Sequence, residues 1–196
     1  QPFSLSNDDF AKSIGNDFLN ESSFKVMFFE RWESGLFKRP ELYPEQSVVT
    51  VATHDTPTLT GWWQGRDLQW REQLNLYPSI EAGEHERNNR ASERTKLIDA
   101  LNDMQVIDMT KTPVQNPATM STELSVAVQK YLAAAPSHIQ LISLEDALEC
   151  EEQVNIPGTI DEHPNWQQKL SISLENLFET NSVKAIVNAM KLARPK

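Results

Sequence analysis

His54 and Asp55 stand where the β-branched run of VVTVATHDTPTLTGWW ends, an imidazole beside a carboxylate. Both groups are ionisable, and side chains of these types hold and move protons in many sites. In a parallel α/β architecture the residues just past a strand's carboxyl end line the site face, so position makes both residues candidates. They also have a plainer use. Asp55 or Thr56 could cap a helix with Pro57 at its first position while His54 satisfies a loop hydrogen bond, and on spacing alone capping is the commoner role.

Other chemistry-bearing residues are read the same way. Asn155, in EQVNIPGT, could turn an amide toward a ligand or simply precede the Pro157-Gly158 turn. Trp62 and Trp63 could offer aromatic faces to a ligand, but large aromatics contribute most by burial and the core reading is preferred. Trp166, after the expected N-cap Asn165, is taken as a packing anchor. Glu145 and Asp146 follow a further apolar run and so would also lie near the site face; catalysis is the minor reading, and they are expected to be solvated or to cap a helix. No metal site is expected, because His54, His85, His138 and His163 are scattered without ligand spacing. No cofactor is expected either, and Cys150 reads as an ordinary thiol.

The elements that must position these residues are set by composition and pattern. A chain of 196 residues can bury roughly 70% of its unfolded surface, so a sizeable core is possible. With 28 acidic against 18 basic residues the net charge is -10, which argues against nucleic-acid binding. A single cysteine excludes an intrachain disulfide and fits a reducing compartment. Apolar runs fall short of a membrane span and the polar start has no signal-peptide core, so no membrane and a cytoplasmic location are expected. The opening Gln1-Pro2-Phe3 lacks a methionine, and a piece of something longer is expected.

Short apolar runs at 24–29, 47–53 and 139–142 read as strands. A helix is expected from Thr56 and Pro57. A solvated helix between Ile80 and Met104 should be buried only along its later turns, at Leu97, Ile98, Leu101 and Met104. A loop follows from Asp108 to Pro117. Leu124, Ala127, Val128, Tyr131 and Ala135 mark a helix face stopped by Pro136, and two further helices are expected from N-caps Asn165 and Ser182. Leu170, Leu174, Leu177 and Phe178 would line the first of these. Short uninterrupted apolar strands suit a parallel sheet covered on both faces. A (β/α)8 barrel needs eight such units over about 250 residues, and this chain supplies about three. The fold expected is therefore α/β, a carboxyl-terminal portion of a TIM barrel with about three parallel strands and flanking helices over residues 24–196, after an unassigned lead-in over 1–23.

Two blocks, YPEQSVVTVATHDTPTLTGWW and EQVNIPGTIDEHPNWQQKL, resemble the carboxyl-terminal part of amylomaltases, the 4-alpha-glucanotransferases of glycoside hydrolase family 77. The likeness runs from about Phe24 to Ala193. It implies that FKVMFFE, SVVTVATHD and IQLISLEDAL are the sixth, seventh and eighth barrel strands. Members disproportionate α-1,4-glucans by a retaining mechanism, which needs two carboxyl groups about 5–5.5 Å apart. The resemblance assigns to Asp55 the role of a third carboxylate, one that stabilises the transition state by binding hydroxyls of the distorted donor sugar. His54 and Asn155 become partners of sugar hydroxyls, with Trp62 a further substrate-binding candidate.

The chain departs from the family in having no Arg-x-Asp nucleophile and no Glu-Asp-Leu-Gly acid/base segment. The expectation is thus part of a 4-alpha-glucanotransferase acting on maltooligosaccharides or α-1,4-glucans, catalytically silent when isolated. The alternatives are a non-catalytic glucan-binding or assembly module derived from such a barrel, and a hydrolase using the same carboxylates. An unpaired first strand would also make the isolated chain prone to self-association.

Overall fold

The computed structural model describes residues 23–108 and 119–195. The lead-in expected over 1–23 lies outside the described residues except for Ser23, and so does the expected 108–117 loop except for Asp108. Three strands, β1 (Ser23–Val26), β2 (Ser47–Thr50) and β3 (Ile139–Gln140), form one parallel sheet in that order. Phe24 pairs with Val48, and Val48 with Ile139. Single ladder bonds run slightly further, from Met27 N–H to Thr50 O (2.9 Å) and from Leu141 N–H to Val49 O (2.9 Å).

β2 is buried along its whole length, as its β-branched residues favour. β1 and β3 are only partly covered, and Phe24 is 50% exposed. Burial on both faces therefore holds for β2 but not for its neighbours. Their outer edges have no partner strand among the described residues.

Among the described residues, six α-helices accompany the sheet: α1 (Leu59–Gln64), α2 (Arg66–Gln73), α3 (Ile80–Asp103), α4 (Thr122–Ala133), α5 (Leu144–Ala147) and α6 (Asn181–Ala193). α3 starts on Ser79, whose hydroxyl accepts from Ala82 N–H, and buries Leu97, Ile98 and Leu101 in its later turns. α4 starts on Ser121 and buries Leu124, Ala127, Val128 and Tyr131, the face its spacing predicts. These residues join Met27, Val49, Val51, Leu59 and Trp63 in the main core. Each fully buried side chain of this kind contributes about 1.5–3 kcal/mol. A second cluster, around Ala147, Leu177, Val183 and Ile186, seats α6.

Three expected helix starts are corrected. α1 begins after Thr58, whose hydroxyl accepts from Gly61 N–H (3.0 Å), and not at Thr56. No helix starts at Asn165. A 3-10 segment, Leu174–Glu179, appears instead, with Leu177 buried but Leu174 and Phe178 exposed. α6 starts after Thr180, while Ser182 is spent on a bond from its hydroxyl to Ala147 O (2.8 Å). Among the described residues, no helix is long and apolar enough to cross a membrane.

Candidate functional site

Past β2 the chain closes a tight turn. Thr53 N–H donates to Thr56 Oγ1 (2.8 Å) and the Thr56 hydroxyl donates back to Thr53 O (3.0 Å). That hydroxyl is thereby engaged, which is why Thr56 does not cap α1. Neither does Asp55. The turn instead holds His54 and Asp55 outward, with side chains 57% and 50% exposed and Nε2 3.3 Å from Oδ2. Asp55 N–H is bonded to Thr53 Oγ1 (3.3 Å), so the carboxylate is not folded onto its own backbone.

Asn155 completes the cluster from 100 positions away, its Nδ2 donating to Asp55 Oδ1 at 2.7 Å. His54, Asp55 and Asn155 are thus brought together. Trp62 is not. It is 8% exposed, tilted against Phe28 (5.3 Å) and Trp63 (6.3 Å) with the Arg90 guanidinium over its ring (5.1 Å). Its indole is core, the reading preferred from the sequence, and it does not join the cluster as the substrate-binding candidate would require.

The loop bearing Asn155 is docked on α1 and α2. The Thr58 hydroxyl donates to Cys150 O (2.6 Å), and Gly61 lies so near that a Cβ there would come within 2.3 Å of Glu151 O. Only glycine permits that approach. Glu152 then accepts from Arg66 Nε (2.8 Å) and Trp70 Nε1 (2.7 Å), and Trp70 meets the buried ring of His163 edge-on at 4.7 Å. Asn165 ties the far end of the loop: its Oδ1 accepts from Ile156 N–H (3.0 Å) and pairs with His163 Nδ1 (2.8 Å), and its Nδ2 donates to Thr159 Oγ1 (2.8 Å). With its amide committed to the loop, Asn165 is not a helix cap. Pro157 and Gly158 make the expected turn, with φ +85° at Gly158 and Thr159 N–H on Ile156 O (3.2 Å).

Trp166 departs from its expected place. Expected as a packing anchor, it is 61% exposed, and its ring lies 5.1 Å from that of His54 at a 44° tilt. Its backbone has φ +62°, a left-handed conformation that costs a bulky residue roughly 1–2 kcal/mol. The signal in the sequence was Pro164-Asn165 ahead of it, which favours a turn over a helix.

Asp146 is buried, and its Oδ1 accepts from Leu59 N–H (2.7 Å) at the first residue of α1. Burial pushes its carboxyl up from the usual range, partly opposed by that bond and by Ser143. It serves as a helix cap reaching in from α5. Burial, with Glu145 and Asp146 near, also pushes the Cys150 thiol up, away from the reactive thiolate. No group of His, Cys, Asp or Glu able to hold a metal ion occurs among the described residues.

Chemically, the cluster offers an acceptor with unused capacity. A carboxylate has about four lone-pair sites; Asn155 fills one on Oδ1 and His54 approaches Oδ2, which leaves acceptor positions on both oxygens for ligand hydroxyls. A half-exposed carboxylate, imidazole and amide thus stand together beyond the central strand of a parallel α/β sheet, the end at which such folds place their sites.

Comparison with known proteins makes the class specific. The sequence model of glycoside hydrolase family 77, described as 4-alpha-glucanotransferase, matches residues 16–174, and the chain belongs to that family. The match begins ahead of Phe24 and stops short of Ala193. The 4-alpha-glucanotransferase of Haemophilus influenzae is 29% identical over 169 residues, covering 86% of this chain and 24% of that protein. That of Mycobacterium bovis is 29% identical over 163 residues, covering 78% of this chain and 21% of its own length. The crystal structure of amylomaltase from Corynebacterium glutamicum shares the fold at a TM-score of 0.72 and 21% identity, over 85% of this chain and 25% of that one. The chain thus spans about a quarter of the length of the proteins it matches.

Proposed function

We propose that this chain is the carboxyl-terminal segment of the catalytic (β/α)8 barrel of a 4-alpha-glucanotransferase, and that Asp55 is its transition-state-stabilising carboxylate. Among the described residues the outer edges of β1 and β3 have no partner strand, which supports the barrel reading, since a closed barrel would supply a neighbour to each. The observation that carries the functional reading is the bond from Asn155 to Asp55 across 100 positions, which orients a half-exposed carboxylate beyond the buried central strand.

Retaining glucan transfer passes through an oxocarbenium-like transition state in which positive charge develops on the donor ring. Asp55 faces that charge and accepts hydrogen bonds from the ring hydroxyls, interactions that strengthen as the ring distorts and so lower the barrier. His54 and Asn155 fix the carboxylate and extend the set of groups that meet sugar hydroxyls. The nucleophile and the acid/base are supplied by other parts of the longer protein, and an α-1,4-glucan hydroxyl, in place of water, takes the donor segment. The 196-residue chain alone is accordingly silent. A β1 edge without a partner among the described residues favours self-association of the isolated chain, which sedimentation over a concentration series would reveal.

The test is maltotriose disproportionation by the full-length protein with Asp55→Asn. Turnover should fall about 10²–10³-fold with a smaller change in KM, the signature of an electrostatic stabiliser. Near-wild-type turnover would remove Asp55 from the mechanism. Glucose release by the isolated chain would overturn its predicted silence.

A further inference from the structure

Among the described residues four non-glycine positions have positive φ: Asn75, Gln105, Glu149 and Trp166. Asn75, Gln105 and Glu149 each stand two residues past the last residue of a helix, α2, α3 and α5, where a left-handed residue is the ordinary way to end one. Trp166 follows no helix. It is the third residue of a turn closed by Gln167 N–H on Pro164 O (3.2 Å), a place that favours glycine, and its own N–H is tied to Val154 O (3.0 Å). A bulky side chain held in such a conformation is over-determined by its surroundings, and outliers of this kind cluster at functional sites.

Exposure is the second observation. A Trp placed for packing is buried, as Trp63 is, whereas Trp166 leaves 61% of its surface open beside His54. Through His54 the indole stands one imidazole away from the Asp55 carboxylate. The loop network of Asn165, His163, Trp70 and Glu152 anchors the turn on which it sits. A pyranose ring has an apolar face of C–H groups and an edge of hydroxyls, and an indole next to a carboxylate, imidazole and amide matches both.

We propose that Trp166 is a sugar-binding residue: its exposed indole face stacks on a glucose unit of the α-1,4-glucan adjoining the one held by Asp55. This rests on the transferase reading given above. Stacking acts on the bound chain before and during the reaction alike, so the contact is felt in KM more than in kcat.

The experiment compares Trp166→Gly, Trp166→Phe and Asp55→Asn in the full-length protein, by maltotriose disproportionation and thermal melting. Trp166→Gly should raise KM about tenfold or more, as truncating an aromatic anchor does, with kcat nearly held. Because glycine relaxes the left-handed backbone, its Tm should stay level or rise. Trp166→Phe, which keeps a ring, should retain KM within about threefold of wild type. If Trp166→Gly lowers Tm and activity together, the indole packs under another part of the protein and the proposal fails. It fails equally if Trp166→Gly leaves KM unchanged while Asp55→Asn abolishes turnover. An active Asp55→Asn enzyme would instead sink the transferase role of Asp55, a separate outcome.

Discussion

The turn that carries His54 and Asp55 closes on itself within four residues, through Thr53 and Thr56. The loop that carries Asn155 and Trp166 is held from a distance, by Thr58 bonded 92 positions away, by the close approach of Gly61, and by Arg66 and Trp70 on Glu152. One half of the site is stabilised by local backbone geometry at the end of a buried strand, and the other by tertiary contacts that exist only once α1 and α2 have formed. Damage to α1 should therefore disturb the second half while sparing the first, and changes to Asp55 should do the reverse.

The largest effect separates chemistry from scaffolding. Asp55→Asn should reduce turnover by the 10²–10³-fold range typical of a lost electrostatic group without lowering the melting temperature, since the side chain is half-exposed. Gly61→Ala is its mirror image. The new Cβ would meet the carbonyl of Glu151, a backbone atom that cannot swing aside, and overpacking of this kind costs about 1–3 kcal/mol. The denaturation midpoint should fall, and kcat/KM should fall with it as Asn155 loses its place. If Gly61→Ala changes neither, the loop is not held through α1 and the contrast between the two halves collapses.

This same contrast sets what could be seen in the sequence. The end of β2 was legible because a β-branched run stopping at two ionisable residues is a local pattern, and the faces of α3 and α4 were legible from helical spacing. The resemblance to family 77 added Asn155 to the same site. What was not legible depended on partners far along the chain. Leu170, Leu174 and Leu177 have helical spacing, yet Asn165 is consumed by Ile156, His163 and Thr159, and Trp166, which would be the first helical residue after an Asn165 cap, has a left-handed backbone. Trp62 and Trp166 illustrate the limit in opposite directions: one is core and the other exposed, and nothing in an isolated Trp reveals which. Exposure is a property of the assembled fold.

A smaller effect tests the bridge between the halves. Asn155→Ala removes the side-chain amide that the long-range loop donates to Asp55, a hydrogen bond to a charged group worth about 1.5–3 kcal/mol when well shielded. With Asp55 half-exposed the lower end applies, so kcat/KM should drop about tenfold while the fold is unaffected. Asn155→Asp, which places a second carboxylate against the first, should be worse than Ala. Equal activity of Ala and wild type would mean that the local turn alone orients Asp55.

The smallest effect concerns Asp146, which joins the two halves by accepting from Leu59 N–H at the start of α1. Its carboxyl is raised above the ordinary 3.8 by burial, so between that value and the raised one the folded state keeps a proton that the unfolded state has released. The folded state then binds more protons, and stability falls as pH rises through this window. The contribution is complete below about pH 3.8 and is lost above the raised value. Asp146→Asn keeps an acceptor for Leu59 but cannot ionise, so it should lack this decline. Urea midpoints of wild type and variant taken from pH 3.5 to 8 should therefore shift in the variant's favour as pH increases, whatever their offset at the acid end. A shift toward wild type would mean that the charge itself, and not only the acceptor, holds α1 against the loop, and the two halves would then be coupled electrostatically as well as sterically.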